Sequence, residues 1–540
     1  MRGREAIERP HREGRDGAGR RRGPHCAWRM VLGLAIAALG WRTLAARARP
    51  LGHAAAPHAA YDQRYRPQVH FSPVRHWMND PNGLVFFNGW YHLFFQYNPY
   101  GSRWGNMSWG HAVSRDLLHW RQLPVAIPEG RRFMIFSGSA VVDWHDSSGF
   151  GVGGRPPLVA IYTANPRSGP GPQTQNLAYS TDGGMTWTKY AGNPVLDIGL
   201  RNFRDPKVFW YAPEHKWVMV VSLARERRIS FYSSANLKTW RRTGDFGPAG
   251  DVSGVWECPD LFELPVQNRP GETRWVLKVD SQQTHAGGGG GGQVFVGRFN
   301  GETFIASSPA PQPLDLGEDY YASASWSDLP ATQARHVMLG WMDKWTYAQD
   351  APTSPWRGAM AFPRSVSLRL RHGTYHLLQR PIAQLAKLRR AHRHIPAFVA
   401  PEGRILLSVP AMGSAHEIRA LMRVGRRGRF AFSIGSGDGK LVRIGYDAAT
   451  GRISVRRTGR YLFSRAFDSG NTAPLASLEG DIELDLIVDR SSVEAFVNDG
   501  EMTISERMFP TDGAYTVALA TGGAARVRKM DIWDLRSIWR

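Results

Sequence analysis

Between Tyr61 and Arg380 the hydrophobic positions come in short alternating runs broken by Asn, Asp, Gly and Pro, the mark of half-buried β-strands joined by tight turns. One pattern recurs there: a polar or acidic residue, a short apolar strand, a turn, and a second strand. The first copy is Asp80-Pro81-Asn82-Gly83, a strand from Leu84 to Phe87, the hairpin pair Asn88-Gly89, and a strand from Trp90 to Tyr97. The second opens at Phe136-Ser137 and returns from Leu158 to Thr163. The third has Asp205-Pro206, then Val208 to Tyr211 and Lys216 to Leu223; the fourth has Glu257-Cys258-Pro259, then Leu261 to Leu264 and Arg274 to Asp280. A fifth runs from Tyr320 or Tyr321 through Trp326 and back from His336 to Trp345. The openings lie 57, 68, 52 and about 63 residues apart, room for one four-stranded sheet per copy. A second hairpin is marked by Ser114-Arg115-Asp116 with Trp120, Ser180-Thr181-Asp182 with Trp187, and Ser234-Ala235-Asn236 with Trp240, and in the fourth copy by Asn300-Gly301 with Phe304. Repeated four-stranded sheets of this length predict a five-bladed β-propeller over residues 61–380.

From Ile405 onward the alternation continues but the repeat stops, with strands expected near Arg452, Asp481, Val493 and Tyr515. This predicts a C-terminal β-sandwich over 396–540 that buttresses the propeller rather than binding sugar. A linker over 381–395 is expected to join the two, with Ala, Leu and Lys at helix-compatible spacing from Pro381 to Arg393. The fold class is therefore all-β.

Composition narrows the class further. With 58 Gly and 35 Pro in 540 residues at 42% hydrophobic, the chain is a turn-rich folded protein, and collagen and coiled coil are excluded. Its 20 Trp, 17 Tyr and 24 Phe supply flat rings that fill a core or cover the apolar face of a sugar. The net charge of +22 is inflated by the first 60 residues, whose 12 Arg and 4 acids leave +14 for the rest. The local cluster Arg423, Arg426, Arg427 and Arg429 carries no nucleic-acid motif and reads as solvated surface, so no nucleic-acid partner is expected. Only Cys26 and Cys258 are present, which rules out a disulfide framework and a cysteine zinc site. His70, His76, His92 and His111 lack metal-ligand spacing, and no metal or cofactor is expected. Gly287 to Gly292 is followed by neither Lys-Ser nor Lys-Thr and reads as a rim loop, not a phosphate cradle.

The amino terminus predicts export. Arg20, Arg21, Arg22 and Arg29 precede an uncharged 11-residue run from Met30 to Gly40. A membrane span needs about 20 residues, so this is a signal-peptide core, with cleavage expected at Ala46-Arg47-Ala48 or Ala54-Ala55-Ala56. Residues 1–60 then form a leader, the mature protein is secreted or periplasmic, and no membrane span remains. No Cys follows the apolar run, which argues against a lipid anchor.

Asp80, Asp205 and Glu257 each open a repeat, three or four positions ahead of its first apolar strand residue and one or two before a Pro. Equivalent positions of a propeller converge on its axis, so the three carboxylates are expected in one funnel. They would repel unless they divide labour. Glycoside hydrolysis divides it: one ionised carboxylate attacks the anomeric carbon, one protonated acid serves the leaving oxygen, and a third binds hydroxyls. The plainer alternative is that each acid caps a turn. Ideal pairing across Asn88-Gly89 sets Gln96 opposite Pro81, next to Asp80 but on the other face, so a bulge or fraying at the Pro is needed to turn it inward. Arg204 either holds the charge of Asp205 or forms a structural ion pair.

These residues fall in strings that resemble glycoside hydrolase family 32, the invertase, inulinase and levanase family: WMNDPNG at Trp77 to Gly83, FSGSA at Phe136 to Ala140, FRDPK at Phe203 to Lys207, and ECPD at Glu257 to Asp260. The likeness runs from Arg66 to Trp533 and includes WGHAVSRDLLHW at Trp109 to Trp120 and SSVEAFVNDGE at Ser491 to Glu501. It implies a five-bladed propeller with a β-sandwich, acting with retention on β-linked fructosyl units of fructan or sucrose. In that resemblance Asp80 matches the nucleophile, Glu257 the acid/base and Asp205 the transition-state stabiliser. Trp77, Met78, Asn79, Gln96, Trp104, Phe136, Ser137, Arg204, Asp319 and Tyr321 match substrate-binding positions. Gly340 to Met360 looks most like the exo-acting levanase and inulinase branch, with Trp345 near the pocket, although Asp343-Lys344 departs from the Asn-rich form common there. Burial beside two other carboxylates is expected to set Glu257 above Asp80 in pKa.

Other readings compete. An invertase-type sucrose hydrolase or a fructosyltransferase would share the machinery. Ser180 to Trp187 is a complete Asp-box, familiar from sialidases, but a sialidase needs an Arg cluster and a Tyr nucleophile where this chain supplies carboxylates and one Arg. A non-catalytic fructan-binding propeller would need no acid and nucleophile together. Cys258 lacks a His partner and reads as pocket-wall packing.

Overall fold

The computed structural model describes residues 61–282, 291–330, 336–399, 403–407, 415–511 and 515–539. The export leader and most of the Gly287–Gly292 run lie outside the described residues. Five antiparallel sheets follow one another along the chain, and their innermost strands are His76–Phe87, Phe133–Val142, Phe203–Tyr211, Val255–Pro265 and Tyr321–Ser325. Numbered I to V in chain order, these strands neighbour one another in sequence and the fifth returns against the first, so the ring is closed. Closure is reinforced by Trp356–Arg357, which leaves blade V and pairs in parallel with His76 and Trp77 of blade I. Blade V itself returns over His336–Trp341, shorter than the run to Trp345 expected from sequence, because residues 342–350 leave the sheet.

Apolar clusters fill the gaps between blades. Val85, Phe94, Trp109 and Tyr162 pack between blades I and II, Val141, Phe203, Trp217 and Met219 between II and III, and Val220, Phe231, Trp256 and Phe295 between III and IV. Burying side chains of this size contributes roughly 1.5–3 kcal/mol each, which is what the alternating pattern in the sequence encodes. The turns marked by Ser-x-Asp/Asn are built alike in three blades. In blade II, Ser180 accepts from the Gly184 N–H, Asp182 accepts from the Met185 and Thr186 N–H groups, and the Trp187 indole donates to the Gly184 carbonyl.

Every innermost strand carries a bulge at the same point of its ladder, where two residues face one on the neighbouring strand. The pairs are Asn79-Asp80 against Gln96, Phe136-Ser137 against Thr163, Asp205-Pro206 against Val221, Cys258-Pro259 against Val279, and Ala322-Ser323 against Gly340. Bulges re-aim side chains that strict alternation would send to opposite faces. Asp205, Cys258 and Ala322, the first bulged residues of blades III to V, have φ of 65°, 49° and 52°, a left-handed backbone that non-glycine residues rarely adopt. The ladder corrects one expectation: the acids do not hold equivalent positions. Glu257 precedes its bulge, Asp205 is first in its bulge, and Asp80 is second, so three adjacent rows of the repeat each supply one acid.

The sandwich has two six-stranded antiparallel sheets enclosing Ile418, Phe432, Ile444, Leu486, Val493 and Leu519. The stretch expected as a linker is a 3-10 helix only over Ala383–Leu388. Arg389–Ile395 is already an edge strand of the sandwich, paired with Ala525–Leu535, and its exposed outer residues hid the alternation. Propeller and sandwich meet along a seam of buried charge. His70 lies between Asp489 and Glu494 at 2.8 and 2.9 Å, and Arg364 reaches Asp315 and Glu494, both at 2.9 Å. Gly317 is required at this seam, since a Cβ there would stand 2.1 Å from the Ser505 carbonyl oxygen.

Candidate active site

The bulged ends of the five innermost strands bring the acids together as three neighbouring layers. In the first layer Arg204 donates twice to Glu257 Oε1, from Nε at 2.9 Å and Nη2 at 2.8 Å, and Tyr321 donates its hydroxyl to Glu257 Oε2 at 2.6 Å. Blades III, IV and V are thus tied across the funnel by one carboxylate. In the second layer Asp205 Oδ2 accepts from the Cys258 N–H at 3.0 Å, while the Asp205 N–H is held by Thr163 Oγ1 at 3.0 Å. In the third layer Asp80 Oδ2 accepts from Ser137 Oγ at 2.6 Å and Oδ1 from Asn79 Nδ2 at 2.9 Å. The Cys258 thiol joins the second and third layers, with Sγ 3.8 Å from Asp80 Oδ2 and 3.6 Å from Asp205 Oδ2.

Arg204 serves Glu257 first and lies 4.0 Å from Asp205, so it does more than hold the adjacent charge. Gln96 does turn inward, as the register required of a bulge, but its amide goes to Asn82 Oδ1 at 2.7 Å and the Ile135 carbonyl at 3.1 Å. A bulge between Asn82 and Val85 shifts the pairing so that Phe95, not Gln96, faces Pro81, and the Asn79-Asp80 bulge then falls opposite Gln96. Below the acids the axis narrows to a cavity of about 30 Å³, where Lys207 Nζ donates to Ser325 O and Oγ at 2.7 and 3.0 Å.

Aromatic rings form the upper wall. Trp345 stacks on Trp77 at 5.9 Å between centroids and packs on Trp341 at 4.9 Å, in one cluster with Tyr321, Phe136 and Cys258. Trp104 is 38% exposed and meets Phe136 edge-on at 6.0 Å, which places it at the rim. Trp77 is fully buried behind this wall, and its indole donates to Asn79 Oδ1 at 2.7 Å.

Two expected pocket residues are elsewhere. Met78 is fully buried among Phe71, Leu93 and Met360, on the blade face away from the funnel, because it precedes the bulge that turns Asn79 and Asp80 inward. Asp319 is buried at the seam, where it accepts from the Tyr347 hydroxyl at 2.5 Å and the Arg507 N–H at 2.7 Å and pairs with Arg457. Its carboxylate is committed to the sandwich.

Burial dominates the electrostatics of the funnel. Burial pushes Asp80 above the ordinary carboxylate range against the hydrogen bonds of Ser137 and Asn79. Burial raises Asp205 to about 7, with Arg204 opposing and Glu257 and Asp80 reinforcing. The Cys258 thiol is driven well up by burial and then by Asp205 and Asp80, so it stays protonated as a weak donor between them. A further buried pair was missed from sequence: Lys278, beneath Glu257, contacts Asp280 and donates to the Cys258 and Ser323 carbonyls at 3.0 and 2.7 Å. Burial raises Asp280 to about 7 despite that lysine. The available signal was a Lys and an Asp interrupting the apolar strand Thr273–Gln282. Among the described residues no group of His, Cys, Asp or Glu is arranged to hold a metal.

The sequence matches the glycosyl hydrolases family 32 N-terminal domain over residues 70–381 and the family's C-terminal domain over 384–534. The chain belongs to glycoside hydrolase family 32. It is a β-fructofuranosidase-type enzyme acting on fructans or fructosides, with the family's propeller and sandwich. A levanase of Bacillus subtilis is 45% identical over 496 residues, covering 90% of this chain and 72% of the relative. An extracellular exo-inulinase of Aspergillus awamori is 38% identical over 519 residues, covering 89% and 96%. Among solved structures, an exo-inulinase from Aspergillus awamori superposes with a TM-score of 0.81 at 37% identity, covering 89% of this chain and all of that one. A fructofuranosidase from Schwanniomyces occidentalis complexed with fructose gives 0.82 at 31%, covering 88% and 99%. Family membership sets aside the sialidase and binding-only readings.

Proposed function

We propose that this family 32 enzyme is an exported, exo-acting fructan hydrolase of the levanase type, with Asp80 as nucleophile, Glu257 as acid/base and Asp205 gripping fructose hydroxyls. The observation that carries the reading is the meeting of these acids in one aromatic-walled funnel, Asp80 and Asp205 bridged by the Cys258 thiol and Glu257 joined to Asp205 through Arg204. Asp80 attacks C2 of the terminal fructosyl unit as the C2–O bond to the leaving group breaks, and the proton of Glu257 passes to that oxygen. Glu257, now ionised, takes a proton from water. The water oxygen attacks C2, releasing fructose and restoring Asp80. Ser137 and Asn79 aim the Asp80 carboxylate, and Arg204 with Tyr321 fixes Glu257.

The levanase preference is supported by 45% identity to a levanase against 38% to exo-inulinases. Export is supported by the Met30 to Gly40 run and by the extracellular exo-inulinases among the relatives. Timed product analysis on levan, inulin and sucrose tests the proposal. Free fructose alone from the earliest times, fastest on levan, is expected. Early oligosaccharides would refute exo-action, and lengthened products would make the enzyme a transferase.

A further inference from the structure

Residues 342–350 leave blade V, carry Trp345 into the funnel wall and are held from the propeller side by Arg103 at Asp350 and Arg357 at the Gln349 carbonyl, and from the other side by the sandwich. Arg507 Nη1 donates to the Met342 carbonyl and to Asp343 Oδ2, both at 3.1 Å. Arg457 Nη2 donates to the Tyr347 hydroxyl at 2.8 Å, that hydroxyl donates to Asp319 at 2.5 Å, and Arg457 itself pairs with Asp319 and with Glu506 at 2.7 Å. Lys344 pairs with Glu318, whose other oxygen accepts from Asn471 of the sandwich at 2.8 Å. Arg457 and Arg507 are fully buried, and Phe467 lies under the Arg457 guanidinium at 3.7 Å. The Asp343-Lys344 pair that departs from the Asn-rich form thus has a use in this chain: Asp343 pairs with Arg507 of the sandwich, and Lys344 pairs with Glu318, which itself reaches the sandwich through Asn471. From Trp345 the contacts continue through Trp77 and Asn79 to Asp80.

We propose that Arg457 and Arg507 of the sandwich are positioning residues for the substrate pocket, acting through Asp319, Asp343 and Tyr347 to fix Trp345 against Trp77. The sandwich is then part of the machinery that shapes the sugar site, not only a brace. An aromatic wall contacts the sugar alike in the ground and transition states, so loosening it costs binding rather than chemistry. This rests on the reading of the funnel as a fructosyl pocket.

The test is a double-mutant cycle on the full-length enzyme with sucrose as probe. Tyr347→Phe and Asp343→Asn, singly and together, are expected to raise KM by about 3- to 10-fold while kcat stays within about 2-fold. Trp345→Ala is expected to raise KM by at least as much, and the Tyr347 and Asp343 changes should add nothing further in its background. Lys344→Met, at the edge of the cluster, provides a variant that tolerates any folding defect of the buried ones and should raise KM in the same non-additive way. Unchanged KM with only a lower melting temperature would overturn the proposal, as would KM effects that multiply with Trp345→Ala. Asp80→Asn run alongside separates the two readings: if it abolishes turnover while the Tyr347 and Asp343 variants leave KM alone, positioning fails and the pocket stands. An active Asp80→Asn would sink the pocket itself.

Discussion

The molecule buries charge in two places and treats it oppositely. At the His70 end of the seam every acid is satisfied: Asp489 accepts from His70 and from the Gln68, Val69 and Arg490 N–H groups, and Glu494 from His70, Arg364 and the Phe362 N–H. Both acids are held below their ordinary range, their burial outweighed chiefly by the His70 hydrogen bond. In the funnel Asp80 receives only two strong donors and no cation, Asp205 has its nearest guanidinium nitrogen at 4.0 Å, and both are pushed up by burial. The seam uses charge to fix two domains in one register. The funnel leaves Asp80 and Asp205 under-partnered, a strain on stability that reserves them for substrate.

The comparison breaks first at Asp80. Asp80→Asn is expected to cut turnover on sucrose by at least about 10³-fold while the melting temperature stays level or rises, because a buried and poorly paired carboxylate is replaced by a neutral amide. Calorimetry beside kinetics checks it, and a fall in stability matching the fall in rate would erase the distinction between the regions. Arg364→Met should do the reverse. It strands Asp315 without its cation and leaves Glu494 with only His70 as cation, an expected loss of about 3–5 kcal/mol in denaturant unfolding, with kcat per folded molecule unchanged.

The seam also carries a signed pH dependence. Hydrogen bonds and charge from Asp489 and Glu494 overcome the burial of His70 and raise it from 6.5 to about 9. A group raised on folding stabilises fully below its unfolded value and loses that contribution as pH climbs through the folded one. Stability should therefore fall between about pH 6.5 and 9, by an amount on the order of a few kcal/mol. His70→Gln should be less stable at pH 6 and flatter across that window. A wild-type melting temperature that is level from pH 6 to 9.5 would contradict the assignment.

Much of this architecture was legible in the chain, and the gaps have a physical pattern. The Asp80, Asp205 and Glu257 openings, the Ser-x-Asp/Asn turns and the loss of the repeat after Arg380 were readable because each is local and periodic. The bulges were not, since a bulge is a property of two strands, and one inserted residue moves a side chain to the other face without changing composition. That is why the three acids looked equivalent, why Met78 was drawn into the pocket, and why Gln96 faces the Asn79-Asp80 bulge instead of Pro81. Asp319 was misplaced for another reason. Its partners Arg457 and Arg507 lie more than a hundred residues away, and nothing near Asp319 distinguishes an acid committed to the sandwich from one facing sugar.

The smallest effect separates the two regions most finely. Ser137 donates at 2.6 Å to the Asp80 oxygen opposite the one held by Asn79, so Ser137→Ala removes one of two strong donors and leaves the fold untouched. The Ser137 hydrogen bond is one of the two side-chain bonds that hold the Asp80 pKa down against burial, so its loss should push Asp80 further up. Because the ionised form attacks, the acid limb of kcat/KM should move to higher pH, with a modest loss of rate on the plateau. Asp489 at the seam is better defended, since three of its four donors are main-chain N–H groups that no side-chain substitution removes. An acid limb that stays in place when Ser137 is removed would mean that Asp80 is not the group whose ionisation limits the reaction, and the contrast between a reserved acid and a satisfied one would lose its kinetic meaning.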